Sequence, residues 1–177
     1  MKYLCSLLLL VFILSSCGPK LSPFTQRLYE DQRWTERDLE RIQFYLSEDL
    51  VLRRELRDGR TEIVKGEIKI IDGREVEQVV FKRNTPGVYV FSPKENRLAI
   101  SFEDNDDNYL IFGPNPKYGN RYAIRGKEMT RRGGVVTYAG REWRISGADG
   151  FASLLVPLKR LRNQDVKGRV VGGRRID

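Results

Sequence analysis

The hexapeptide "EDNDDN", residues 103–108, is the one acidic cluster in the chain, and carboxylates this close in sequence raise calcium chemistry. Set on the EF-hand loop, Asp104, Asp106 and Asn108 fall at positions one, three and five. Position six requires glycine and holds Tyr109, while position twelve requires a bidentate glutamate and holds Asn115. The template fails at its turn and at its strongest ligand. The stretch therefore predicts a solvated hairpin tip and no metal site. Four other carboxylates, Glu67, Glu75, Glu77 and Glu142, lie in strand-like runs. Two of them facing across a cleft would supply the acid and base of a glycoside or peptidoglycan hydrolase, but one sequence does not pair them.

Nucleophilic chemistry has less to stand on. Histidine is absent from all 177 residues. That removes the commonest general base and the commonest metal ligand together, and with them Ser-His-Asp, Cys-His and His-bearing zinc sites. Ser146 and Ser153 have no base, and no G-x-S-x-G motif occurs. No cofactor motif is present either. Arginines beside glycines recur at Arg131-Arg132-Gly133-Gly134 and in "KGRVVGGRR", residues 167–175. Phosphate-cradling loops place that pattern where a strand runs into a helix, and no helix pattern follows here. Arg131, Arg132, Arg169, Arg174 and Arg175 are instead candidates for docking an anionic partner. The tail reads as a basic strip, or as an edge strand ("RVV") that pairs on docking. Trp34, Trp143, Tyr118, Tyr122 and Tyr138 offer faces on which sugar rings stack, with Trp143 the foremost candidate. Aromatics in strands serve core and cross-strand packing equally well.

The first residues speak to address. Lys2 precedes a nearly unbroken apolar run, "YLCSLLLLVFIL", residues 3–14. It is shorter than the about 20 residues a membrane-spanning helix needs and matches the apolar region of a secretory signal. Leu14-Ser15-Ser16-Cys17 then resembles the lipobox of bacterial lipoprotein precursors. The resemblance covers about the first twenty residues. It implies cleavage before Cys17, a diacylglyceryl thioether on its sulfur, and acylation of the new amino group. Several acyl chains hold a protein at a membrane essentially for good, without spanning it. By the same resemblance Gly18, in place of the aspartate that retains enteric lipoproteins at the inner membrane, implies an outer-membrane address. No acidic cluster follows Cys17, which favours the periplasmic face over the cell surface.

Cleavage removes Cys5 and commits Cys17 to lipid, so no disulfide is expected and core packing alone must stabilise the fold. Lys and Arg total 32 against 24 Asp and Glu, a formal charge of +8. Such a surplus favours anionic neighbours: headgroups, peptidoglycan carboxylates or acidic proteins. Nucleic acid is excluded by the expected address.

The elements that must position these groups follow from period and punctuation. "GPKLSP", residues 18–23, is a tether. Ser22 and Pro23 predict a helix start, running to about Arg33, and Thr35 with Asp38 predicts a second through Leu39, Ile42 and Leu46. Beyond Ser47 the period becomes two. Strands are expected over 50–56, 62–71, 74–81, 88–91, 97–102, 108–112, 121–125, 135–146 (a hairpin about Ala139-Gly140) and 152–158. Asp58-Gly59, Asp72-Gly73 and Pro86-Gly87 mark turns between them. The sum is a mainly β fold: a single antiparallel sandwich or barrel of about nine or ten short strands after one or two short helices. The expected organisation is a signal peptide over 1–16, a lipidated tether over 17–23, a helix-plus-β domain over 24–163 and a basic tail over 164–177. The functional expectation is a non-catalytic periplasmic lipoprotein, an interaction module or structural subunit of an envelope assembly. It would bind an envelope protein or an anionic polymer. The alternatives are a carbohydrate- or peptidoglycan-binding lipoprotein and, behind it, a carboxylate-based hydrolase.

Overall fold

The computed structural model describes residues 20–56, 66–71 and 74–158. Cys17, the tail arginines Arg169, Arg174 and Arg175, and the Asp58-Gly59 and Asp72-Gly73 turns lie outside them. Ser22–Val156 makes up one compact unit, and it is mainly β, built on two antiparallel sheets.

The chain enters as β1 (Ser22–Pro23), not as the expected helix start. The cause is pairing: Ser22 lies opposite Val156 and Pro23 opposite Leu155. Helix α1 (Gln26–Gln32) begins later, where the Thr25 hydroxyl accepts the Leu28 N–H at 3.2 Å. It ends at Arg33, whose φ of 49° breaks the helical run. Helix α2 (Glu36–Leu39) keeps the expected Thr35–Asp38 start but stops after Leu39. The helix expected to continue through Leu46 is replaced by β2 (Phe44–Leu46). There the period-two burial of Phe44 and Leu46, with Tyr45 half-exposed, prevails over the three- and four-residue spacing.

The six-stranded sheet contains β3 (Leu50–Glu55), β4 (Glu67–Ile71), β5 (Arg74–Phe81), β10 (Lys127–Thr130), β11 (Gly133–Tyr138) and β12 (Arg141–Ser146), ordered β10-β11-β12-β3-β5-β4. The seven-stranded sheet takes β1, β2, β6 (Pro86–Lys94), β7 (Arg97–Ser101), β8 (Tyr109–Asn115), β9 (Arg121–Ile124) and β13 (Leu154–Val156), ordered β1-β13-β2-β6-β7-β8-β9. The named strands exceed the nine or ten expected because β1, β2 and β10 carried no alternating run long enough to be seen. Neither sheet closes by a continuous ladder among the described residues, so the barrel alternative is corrected. The outer strands of the larger sheet do meet: Phe24 donates to Leu154 O at 2.9 Å and accepts from Tyr122 N at 3.0 Å.

Turn chemistry fixes the register. Tyr138 pairs with Arg141 across Ala139 (φ 49°) and Gly140 (φ 69°), a two-residue turn with both central residues left-handed. The turn expected at Pro86-Gly87 is displaced: Thr85 N closes on Lys82 O at 3.1 Å with Asn84 at φ 63°. Pro86 then opens β6, as a first strand position tolerates.

The core holds Trp143, Tyr122, Tyr138, Phe24, Phe44 and Phe112, all fully buried. Burial of a phenylalanine side chain contributes about 1.5–3 kcal/mol. Phe81 joins the sheets, its ring 5.3 Å from Tyr138 of its own sheet and 5.7 Å from Phe102, which packs 6.0 Å from Phe112 of the other.

Candidate functional site

Alternation along β7, β8 and β9 gives the larger sheet one apolar face, with Leu98, Ile100, Leu110 and Phe112 in the core. Side chains on the opposite face emerge beside β10 and β11. Register sets out who meets there. Lys94 of β6 lies opposite Arg97 of β7. Leu98 pairs with Phe112, which puts Arg97 opposite Gly113 of β8. Arg125, just past β9, donates its N–H to Ile111 O at 2.7 Å and so continues that ladder. Three cations from separate strands thus share one face around a residue with no side chain.

Gly113 makes the arrangement possible. A Cβ there would stand 2.9 Å from both Cδ and Cζ of Arg97, so the guanidinium lies across space that any other residue would fill. Lys94, Arg97, Arg125 and Lys127 line a groove of about 450 Å³ with no acidic residue in its lining, which Met129 and Val135 share. Lys127 already donates to Glu142 at 2.8 Å, which holds its pKa above the usual lysine value and that of Glu142 below the usual carboxylate value. The other three have no carboxylate partner among the described residues.

Arg125 is the most constrained of them. One guanidinium nitrogen donates to Pro114 O, while its Nε is covered and has no hydrogen-bond partner. Burial, and then the neighbouring charge of Arg97, push its pKa below the usual guanidinium value, though not far enough to discharge it at neutral pH. A buried donor without an acceptor costs about 1–3 kcal/mol, and two like charges side by side add to that. An oxyanion entering the groove would offset the like charges of Arg97 and Arg125.

The residues singled out from sequence are distributed otherwise. Arg131 and Arg132 are exposed at the β10–β11 turn, where the Thr130 hydroxyl donates to Gly133 O at 3.1 Å. Trp143 offers no stacking face: it is 1% exposed, gives its Nε1 hydrogen to Tyr138 O at 3.0 Å, and carries the Arg54 guanidinium 5.3 Å over its ring. In the structure it packs as a core residue. Tyr122 and Tyr138 are buried as well; Trp34 stacks 5.8 Å from Phe24, and Tyr118 meets Phe151 and Arg121. The four strand glutamates do not face one another. Glu67 lies opposite Gln78, Glu75 opposite Ile70, Glu77 opposite Ile68 and Arg54, and Glu142 opposite Thr137.

Residues 103–108 form a turn tied to the end of β7. The Ser101 hydroxyl sits 3.0–3.1 Å from the carbonyls of Glu103, Asn105 and Asn108, and Asn108 Nδ2 donates to Glu103 at 2.8 Å. Among the described residues no three His, Cys, Asp or Glu side chains converge on a metal position. Ser146 donates to Asp149 at 2.6 Å, and Asp149 also accepts from Val51 N at 3.1 Å, so this pair ties β12 to β3. No helix of the described residues is long and apolar enough to cross a membrane.

Sequence reasoning missed Lys94, Arg97 and Arg125. The available signal was Gly113 inside the apolar run "YLIFGPN", since a glycine within a strand marks a close approach. No protein-family model matches the chain, and neither the curated proteins nor the solved structures give a match.

Proposed function

We propose that the protein is a non-catalytic lipoprotein of the bacterial envelope, held at the periplasmic face of the outer membrane by lipid on Cys17, whose β domain docks an anionic partner. The observation that carries this reading is the groove of Lys94, Arg97 and Arg125, three cations on one sheet face with no carboxylate partner among the described residues. Cations left without a carboxylate partner on one face attract an anionic ligand. In this reading the two sheets are the layers of a β-sandwich scaffold, rigid enough to hold the three side chains at fixed spacing. The lipobox resemblance supplies the address, and the surplus of basic residues supplies long-range attraction to anionic polymer or protein surfaces.

The test has two arms. Cells fed an alkynyl fatty acid should label the wild type and leave Cys17→Ala unlabelled; equal label on both would remove the anchor. The unlipidated domain should be retained on isolated envelopes at low salt, and Lys94→Gln, Arg97→Gln, Arg125→Gln together should release it. Undiminished retention of the triple variant would remove the docking role.

A further inference from the structure

We propose that the Lys94–Arg97–Arg125 groove is a receptor for a phosphate monoester, the terminal phosphate of an envelope lipid or glycan; this rests on the docking reading above and names its ligand. A carboxylate brings one charge and two oxygens, enough for a single guanidinium fork. A phosphate monoester brings about −1.5 to −2 charges and three free oxygens in a tetrahedron. Three cations lining one groove suit the second. Lys94 and Arg97 face each other across β6 and β7, and Arg125 comes from the opposite side of Gly113. Gly113 lets the Arg97 guanidinium lie flat over the strand, so an oxyanion entering the groove meets that guanidinium with Arg125 beside it. Arginine dominates where planar, bidentate recognition of phosphate is needed, and lysine adds a point charge at the rim, where Lys94 is exposed.

The placement of the Arg97 guanidinium over Gly113 separates a built site from a merely basic surface. Gly113→Ala changes no charge, and the atoms that its Cβ would meet are the outer part of the flexible Arg97 side chain. The substitution therefore displaces the guanidinium and spares the fold. A site of defined geometry loses affinity; a diffuse cationic patch does not.

The experiment is calorimetric titration of the unlipidated domain with inorganic phosphate, and with sodium acetate at matched ionic strength. Saturable phosphate binding is expected, with acetate failing to compete. Arg97→Gln and Gly113→Ala should each weaken it about tenfold, the worth of one charge-assisted hydrogen bond, at unchanged melting temperature. Vesicles then distinguish the source. Preferential retention on phosphatidic acid over phosphatidylglycerol at equal surface charge places the phosphate on a membrane lipid. Phosphate binding without that preference places it on a soluble ester or glycan. Equal competition by acetate, or a Gly113→Ala protein that binds phosphate as the wild type does, would overturn the proposal. In that event envelope retention that still depends on the three cations would point to a carboxylate polymer and leave the docking reading standing.

Discussion

Glu77 is fully buried, and its carboxylate takes the Arg54 guanidinium as partner, with Nε donating at 3.1 Å. Arg54 in turn lies over Trp143, so one row crosses three strands as indole, cation and carboxylate. Ion pairs taken out of water gain little over an apolar pair of the same volume, yet breaking one strands a buried charge. Glu77→Ala should therefore lower the free energy of unfolding by about 3–5 kcal/mol in urea titration, while Arg54→Met with Glu77→Leu should cost clearly less. If the double variant is the less stable of the two, the pair is not what makes Glu77 matter. Trp143 shows how far single residues were legible. Its alternation with Ile145 puts both on the core face, a pattern visible in "REWRIS". The Arg54 stacked upon it comes from a strand about ninety positions earlier by number, and nothing local in the sequence announces such a partner.

Elements were legible where turns and periods agreed and obscure where pairing overruled them. The β11–β12 hairpin follows from Ala139-Gly140, and β7, β8 and β9 from their alternation. The strands β1 and β2 did not, because two or three residues carry no period; they are held by distant partners, β13 for β1 at Ser22–Val156, and β13 and β6 for β2 at Leu46–Leu154 and Phe44–Gly87. The groove was hidden for the same reason, since its cations come together through the ladders of β6 to β9. Helix α2 shows what local chemistry does decide. The Asp38 carboxylate accepts from Thr35 N at 2.9 Å and from the Thr35 hydroxyl at 2.7 Å. The hydroxyl bond, then the backbone bond, hold the Asp38 pKa below its ordinary value. A carboxylate whose pKa is depressed by folding contributes above its unfolded value, about 3.9, and that contribution is lost as pH falls through the folded value. The Thr35 amide should thus exchange faster on acidification below pH about 3.9, after correction for intrinsic exchange. Asp38→Asn should lose that pH dependence. An unchanged acid response in the variant would place the titrating group elsewhere.

For the molecule as a whole, the charge surplus divides between the groove and the tail. Lys159, Arg160, Arg162, Lys167, Arg169, Arg174 and Arg175 face only Asp165 within residues 159–175 of the sequence. Surface ion pairs in general contribute about 0–1 kcal/mol each to folding, and less as salt rises. Deleting residues 164–177 should accordingly leave the melting temperature unchanged. Its effect on association depends on what the tail does. A tail that adds only long-range attraction speeds encounter, and its loss should fade once salt shortens the screening length from about 10 Å at 0.1 M to about 3 Å at 1 M. The groove grips at contact distance and should resist salt better. Retention on isolated envelopes, followed across that range, separates the two. Truncation should weaken retention at low salt and make little difference at high salt, whereas Arg97→Gln should weaken it at both. Equal retention of full-length and truncated protein at low salt would strip the tail of any part in docking and leave the groove as its sole basis.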